Sequence, residues 1–133
     1  MAEKWTHKAC FEHFGTMPKN PRWSWSGRSP DGQVVSVTFW QDRFEDGGRI
    51  YRGRRRSGDA VGQAGFTELL ENLKWARDNC DGVLRIIIAV AKDPRADPRS
   101  IAECFPQKTL RMRLISLDEA TGEYVAERID EAA

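Results

Sequence analysis

The sequence predicts an α+β fold built on a mostly antiparallel sheet, with one main helix and a short N-terminal helix. Three observations lead there. Val83 to Ala91 is a nearly continuous apolar run, expected of a central strand buried on both faces. Phe66, Leu69, Leu70, Leu73 and Ala76 fall on one helical stripe, and Gly82 follows as a C-terminal stop. Thr109 to Leu117 alternates Leu110, Met112 and Leu114 inward with Arg111 and Arg113 outward, and Glu123 to Ile129 is expected to pair with it through the 118–122 loop.

The other elements follow in chain order. Residues 5–14 read as a short helix whose apolar side holds Trp5, Ala9 and Phe11 or Phe14. Residues 15–32 carry Pro18, Pro21, Pro30 and three glycines, which excludes a helix and predicts an extended loop ending in the Ser29-Pro30-Asp31-Gly32 turn. Gln33 to Trp40 is rich in β-branched and aromatic residues and predicts a strand. Val35, Val37 and Phe39 share one face; Val34, Ser36, Thr38 and Trp40 share the other, which puts Trp40 at a strand end where a pocket commonly opens. Residues 41–65 read as a long charged connection of the functional or mobile kind. Trp75 lies opposite the helical stripe and needs cover, with packing under the N-terminal segment favoured over a ligand. Residues 93–98 form a turn, and 98–105 are expected to make a single helical turn before Pro106.

Length and composition bound the rest. A chain of 133 residues, 40% apolar and 31% charged, fits one domain spanning residues 1–133 with a real core. Cys10, Cys80 and Cys104 are odd in number and widely spaced, which argues against a secreted disulfide framework and for a reducing cytoplasm. No apolar run suits a signal peptide or a membrane span, so no membrane partner is expected. Net charge is only +1, but residues 1–60 hold 11 Lys/Arg against 7 Asp/Glu, while residues 61–133 hold 10 against 13. The basic excess peaks between Arg49 and Arg56, where five arginines occur with no acid.

That excess sits near Pro21-Arg22-Trp23-Ser24-Trp25-Ser26-Gly27-Arg28. In an extended segment Trp23 and Trp25 point the same way, since side chains alternate with period two. Indoles beside guanidinium groups suit a flat, anionic ligand. Trp23, Trp25 and Trp40 are therefore candidates to stack on a base, and Arg22, Arg28, Arg52, Arg54, Arg55 and Arg56 to contact phosphates. The competing reading is that these rings fill the core. His7, Cys10 and His13 are spaced three apart, but on a helix the outer two diverge by ~120°, which disfavours one metal ion. The sequence lacks GxSxG, HExxH, Walker-type and GxGxxG patterns, and no cofactor is expected. His7 or His13 beside Glu12, Asp42 or Glu45 is the remaining acid-base option.

The Trp23-Ser24-Trp25 segment with Val34 to Trp40, the Leu69 to Asn79 helix leading into Leu84 to Val90, and Arg111 to Ile129 together resemble the small β-barrel domains of the PUA-like superfamily, which includes the EVE, ASCH, YTH and SRA modules. The resemblance covers most of the chain and reaches the superfamily, not one member. It implies a curved, mostly antiparallel barrel whose pocket receives a modified or extruded base in an aromatic cage, sometimes in restriction-associated proteins. The expected function is thus binding of DNA or RNA without catalysis, with an effector protein as a further partner. The alternatives are a nuclease or other hydrolase on the same scaffold, and a protein-interaction module whose exposed tryptophans and arginines meet another protein.

Overall fold

The computed structural model describes residues 5–20, 24–53, 60–93, 95 and 101–129, with 60–64 described by backbone alone. The elements are α1 (His7–His13), β1 (Ser26–Arg28), β2 (Val35–Trp40), β3 (Phe44–Glu45), β4 (Ile50–Gly53), α2 (Ala60–Asn79), β5 (Val83–Ala91), β6 (Ile101–Leu117) and β7 (Tyr124–Arg128). The seven strands form one sheet in the order β1-β2-β5-β6-β7-β4-β3. The β2–β5 pair is parallel and every other pair antiparallel. A parallel pair needs a crossover, and α2 lies within the one that joins β2 to β5.

The expected strand at 33–40 and the central strand at 83–91 both form, the first beginning at Val35. Val35, Val37, Phe39, Leu84, Ile86 and Met112 are buried on one face of the sheet with Leu73 and Ala76 of α2. On the other face Cys10 and Phe11 of α1 pack against Ile87 and Cys104. The sheet is thus lined by a helix on each side, α2 over the main core and α1 over a smaller one. Thr6 caps α1, its hydroxyl accepting from the Ala9 N–H at 3.0 Å. Asp81 and Gly82 stop α2 in left-handed conformations, φ 56° and 74°.

Helix α2 also grips the Pro/Gly loop, using Glu68, Asn72 and Trp75, which share a helix face. A Glu68 carboxylate oxygen accepts from the Lys19 N–H at 2.7 Å. The Asn72 side chain accepts from Arg28 Nε at 3.2 Å and donates to Ser26 Oγ at 2.8 Å. Trp75 Nε1 donates to the Gly32 carbonyl at 2.7 Å. Trp75 is therefore covered by the Gly32 turn of the Pro/Gly loop and also packs against the core beneath α2, whereas α1 lies on the other face of the sheet. Gly32 has φ 73°, and a Cβ there would sit 2.8 Å from the Trp75 ring. Backbone strain and overpacking then add, so Gly32→Ala should cost about 2 to 4 kcal/mol in urea denaturation. A loss below ~0.5 kcal/mol would show that the turn and indole do not constrain each other.

Three expectations need correction. The 41–65 connection is not structureless. It contains two 3₁₀ turns and the β3–β4 hairpin, whose Tyr51 is buried against Phe39 with ring centroids 3.8 Å apart. The helical turn at 98–105 is absent over 101–105, which open the long strand β6. Pro106 is tolerated there because β7 pairs only with 112–117, leaving β5 as the single partner at that level. The α+β, mostly antiparallel architecture is as expected, but the sheet has β1 and β3 at its ends with no ladder joining them among the described residues, so it does not close into the expected curved β-barrel. No helix among the described residues is long and apolar enough to cross a membrane.

Candidate functional site

Trp25 stands just before β1, and its carbonyl accepts from the Thr38 N–H at 2.8 Å. This extends the β1–β2 register, in which Ser26 faces Val37, by one residue and sets Trp25 on the same face as Thr38 and Trp40. The two indoles meet there at 5.5 Å between centroids, tilted 49°, and both are half-buried. The Trp40 N–H donates to Tyr51 Oη at 3.2 Å, tying the end of β2 to the buried aromatic stack of Phe39, Tyr51 and Tyr124.

The third member is His7, in the first turn of α1. Its ring lies edge-on to Trp25 at 6.2 Å and beside Phe11 at 4.7 Å, and Nε2 is 2.7 Å from Thr38 Oγ1. Burial lowers its pKa to about 4, so the imidazole is neutral at physiological pH and the site wall carries no charge there. The unfolded chain binds this proton near 6.5, so its contribution to stability is full above about 6.5 and lost as pH falls to about 4. A shift of this size amounts to roughly 3 kcal/mol. His7→Gln should remove that part of the pH dependence from urea unfolding curves. Superimposable wild-type and variant profiles between pH 4 and 6.5 would contradict the assignment.

The residues considered for catalysis or metal binding point elsewhere. Glu12 pairs with Lys8 and Glu45 with Arg52, whereas the hydrogen-bond partner of His7 is Thr38. The Cys10 and Cys104 sulfurs are 3.9 Å apart, and this contact together with burial pushes the Cys10 thiol well up. His13 packs edge-on to Trp5 and Phe14. Among the described residues no group of three His, Cys, Asp or Glu could hold a metal ion.

The structure separates the remaining predicted site residues. Arg28 is turned to the α2 side, its guanidinium 4.3 Å above the Trp75 ring and bonded to Asn72, so it does not join Trp25 and Trp40. Arg52 is exposed and paired with Glu45 at 3.4 Å. It borders a groove of about 730 Å³ near the β3 end of the sheet, lined also by Asp42, Arg43, Phe44, Asp118 and Tyr124. The lining of that groove includes neither Trp25 nor Trp40, and its charges are of mixed sign. Trp23, Arg22, Arg54, Arg55 and Arg56 lie outside the described residues. Sequence reasoning missed His7 and Thr38 as members of the aromatic site. Thr38 was legible as a same-face neighbour of Trp40, but the placement of His7 depends on how α1 docks. No family model, curated protein or solved structure matches the chain.

Proposed function

We propose that the chain binds nucleic acid and receives a flipped or modified base against Trp25 and Trp40. The observation that carries this reading is the pair of half-buried indoles at 5.5 Å, beside a neutral His7 and at the end of a strand. Every base has a π-face, and stacking on an aromatic ring contributes roughly 1 to 3 kcal/mol. A neutral, partly desolvated wall suits an uncharged base better than a phosphate. Trp23 would complete the cage, and Arg22 with Arg52 and Arg54 to Arg56 would meet the backbone. The PUA-like architecture belongs to the same proposal, as does a role beside restriction or nucleic-acid modification through a separate effector.

A nuclease using His7 or His13 has less support, since His7 is engaged by Thr38 and Glu12 and Glu45 are engaged by cations. A titration of short single-stranded DNA and RNA, unmodified and base-modified, against intrinsic fluorescence tests the reading. The expected result is quenching with an affinity that falls as salt rises. Degradation of the probe would favour the nuclease, and a flat titration across the whole panel would reject nucleic-acid binding.

A further inference from the structure

Two of the three cysteines meet on the sheet face opposite α2. Cys10 of α1 is fully buried, Cys104 of β6 is 6% exposed, and their sulfurs stand 3.9 Å apart although the residues are 94 positions apart in the chain. No third atom fits between sulfurs at that distance. The contact exists because α1 packs through Cys10 and Phe11 onto Ile87 and Cys104, with Trp5, Phe14 and Ile101 around the margin of this smaller core. The remaining thiol is elsewhere. Cys80 packs against the main core beneath α2, and its S–H donates to the Gly32 carbonyl at 3.4 Å. The sheet thus separates Cys80 from the other two, and topology fixes which thiols can pair.

The paired thiols are not equivalent. The Cys10 S–H donates to the Cys104 sulfur, and this holds the Cys104 thiol below its ordinary range, while the same bond together with burial pushes Cys10 up. Cys104 is therefore the readier thiolate, and thiolate is the nucleophilic form. It is also the less buried sulfur, 3.9 Å from the Trp5 carbonyl at the start of α1. A disulfide needs the sulfurs at ~2.05 Å, so they must close by roughly 2 Å. Helix α1 can supply that approach, since it has only seven residues and rests on the sheet by side-chain packing, not by ladder bonds.

We propose that Cys10 and Cys104 form a redox-sensitive staple, in which hydrogen peroxide joins them in a reversible disulfide that fixes α1 to β6. The Cys104 thiolate attacks one peroxide oxygen, the O–O bond breaks, and hydroxide leaves, which gives Cys104 sulfenic acid. Cys10 then gives up its proton and attacks the Cys104 sulfur, the S–O bond breaks, and the second oxygen departs as water. Two thiols lose two electrons in all, and one peroxide becomes two waters. The staple bears on the aromatic site whatever that site binds, because α1 carries His7, whose ring meets Thr38 Oγ1 and Trp25. In reducing surroundings such a bond is transient and reports oxidant.

The test treats the folded wild type with a small molar excess of hydrogen peroxide, quenches with catalase, and unfolds the protein for thiol counting and non-reducing tryptic mapping. Free thiols should fall from three to one, and residues 9–19 should be recovered linked to residues 100–108. C80S should form the same link, and C104S should keep both of its thiols. The cross-link constrains the unfolded chain over a long loop, so the urea midpoint of the oxidised protein should rise by about 1 M or more. Dithiothreitol should return it to the starting value, which separates the disulfide from methionine oxidation. Survival of all three thiols, linkage to residues 78–85, disulfide-linked dimers, or Cys104 carried to sulfinic acid without a link would each overturn the staple. A linked protein whose midpoint is unchanged or lower would overturn it too, because the bond would then not fit the folded pair.

Discussion

Trp25→Ala is expected to weaken binding of a short single-stranded oligonucleotide by about 5- to 150-fold, the equivalent of one lost base stack. The indole is half-buried and contacts Trp40 and the His7 ring, so its removal also costs stability. That cost should stay near 1 to 2 kcal/mol, because the ring lies outside the main core beneath α2. The variant should therefore unfold cooperatively and bind weakly. Trp25→Phe keeps an aromatic face and should recover part of the affinity, which separates stacking from mere filling. Equilibrium titration and urea unfolding of the same preparations check both halves. A variant that loses stability but keeps wild-type affinity would mark the ring as packing only.

Phe39→Ala should be the most destabilising single change, at about 3 to 5 kcal/mol. Phe39 is fully buried, stacks on Tyr51 at 3.8 Å with planes 5° apart, and lies near Tyr124 and Phe44 at 6.1 and 6.0 Å. Alanine leaves a cavity at the meeting point of β2, β4 and β7, and domains of this size hold only ~5 to 15 kcal/mol in total. The effect should reach the site as well. Tyr51 Oη holds the Trp40 N–H, so loosening the stack lets the end of β2 shift. Urea midpoints should fall sharply, and the folded fraction should bind oligonucleotide less well than the wild type. A loss below ~1.5 kcal/mol would mean that neighbouring rings collapse into the space.

What could be read from the chain divides along physical lines. The strands ending at Trp40 and Ala91, the helix stripe through Leu73 and Ala76, and the outward Arg111 and Arg113 were legible because each carries its own periodicity or unbroken apolar run over six or more residues. The β3–β4 hairpin was not, since Phe44-Glu45 and Ile50 to Gly53 are too short for a period, and its arginines and glycines read as loop. Residues 101–105 were misread because Pro106 signals an ending, whereas β6 runs through it on a level with one partner only. At the site, Trp25 and Trp40 were legible from alternation and position. His7 was not, because its approach depends on α1 packing through Phe11 and Cys10 onto Ile87 and Cys104.

Photo-cross-linking with 5-bromouracil placed in a short single strand, followed by tryptic mapping, addresses the base site directly. Arginines at 22, 28 and 43 isolate residues 23–28 and 29–43 as separate peptides, the first holding Trp25 and the second Trp40. The proposed site predicts that the cross-linked base is recovered on one or both of these peptides, and that Trp25→Ala depletes the adduct on the first. Adducts confined to peptides from α2, or to groove peptides outside residues 29–43, such as 44–49 and 114–128, would contradict it.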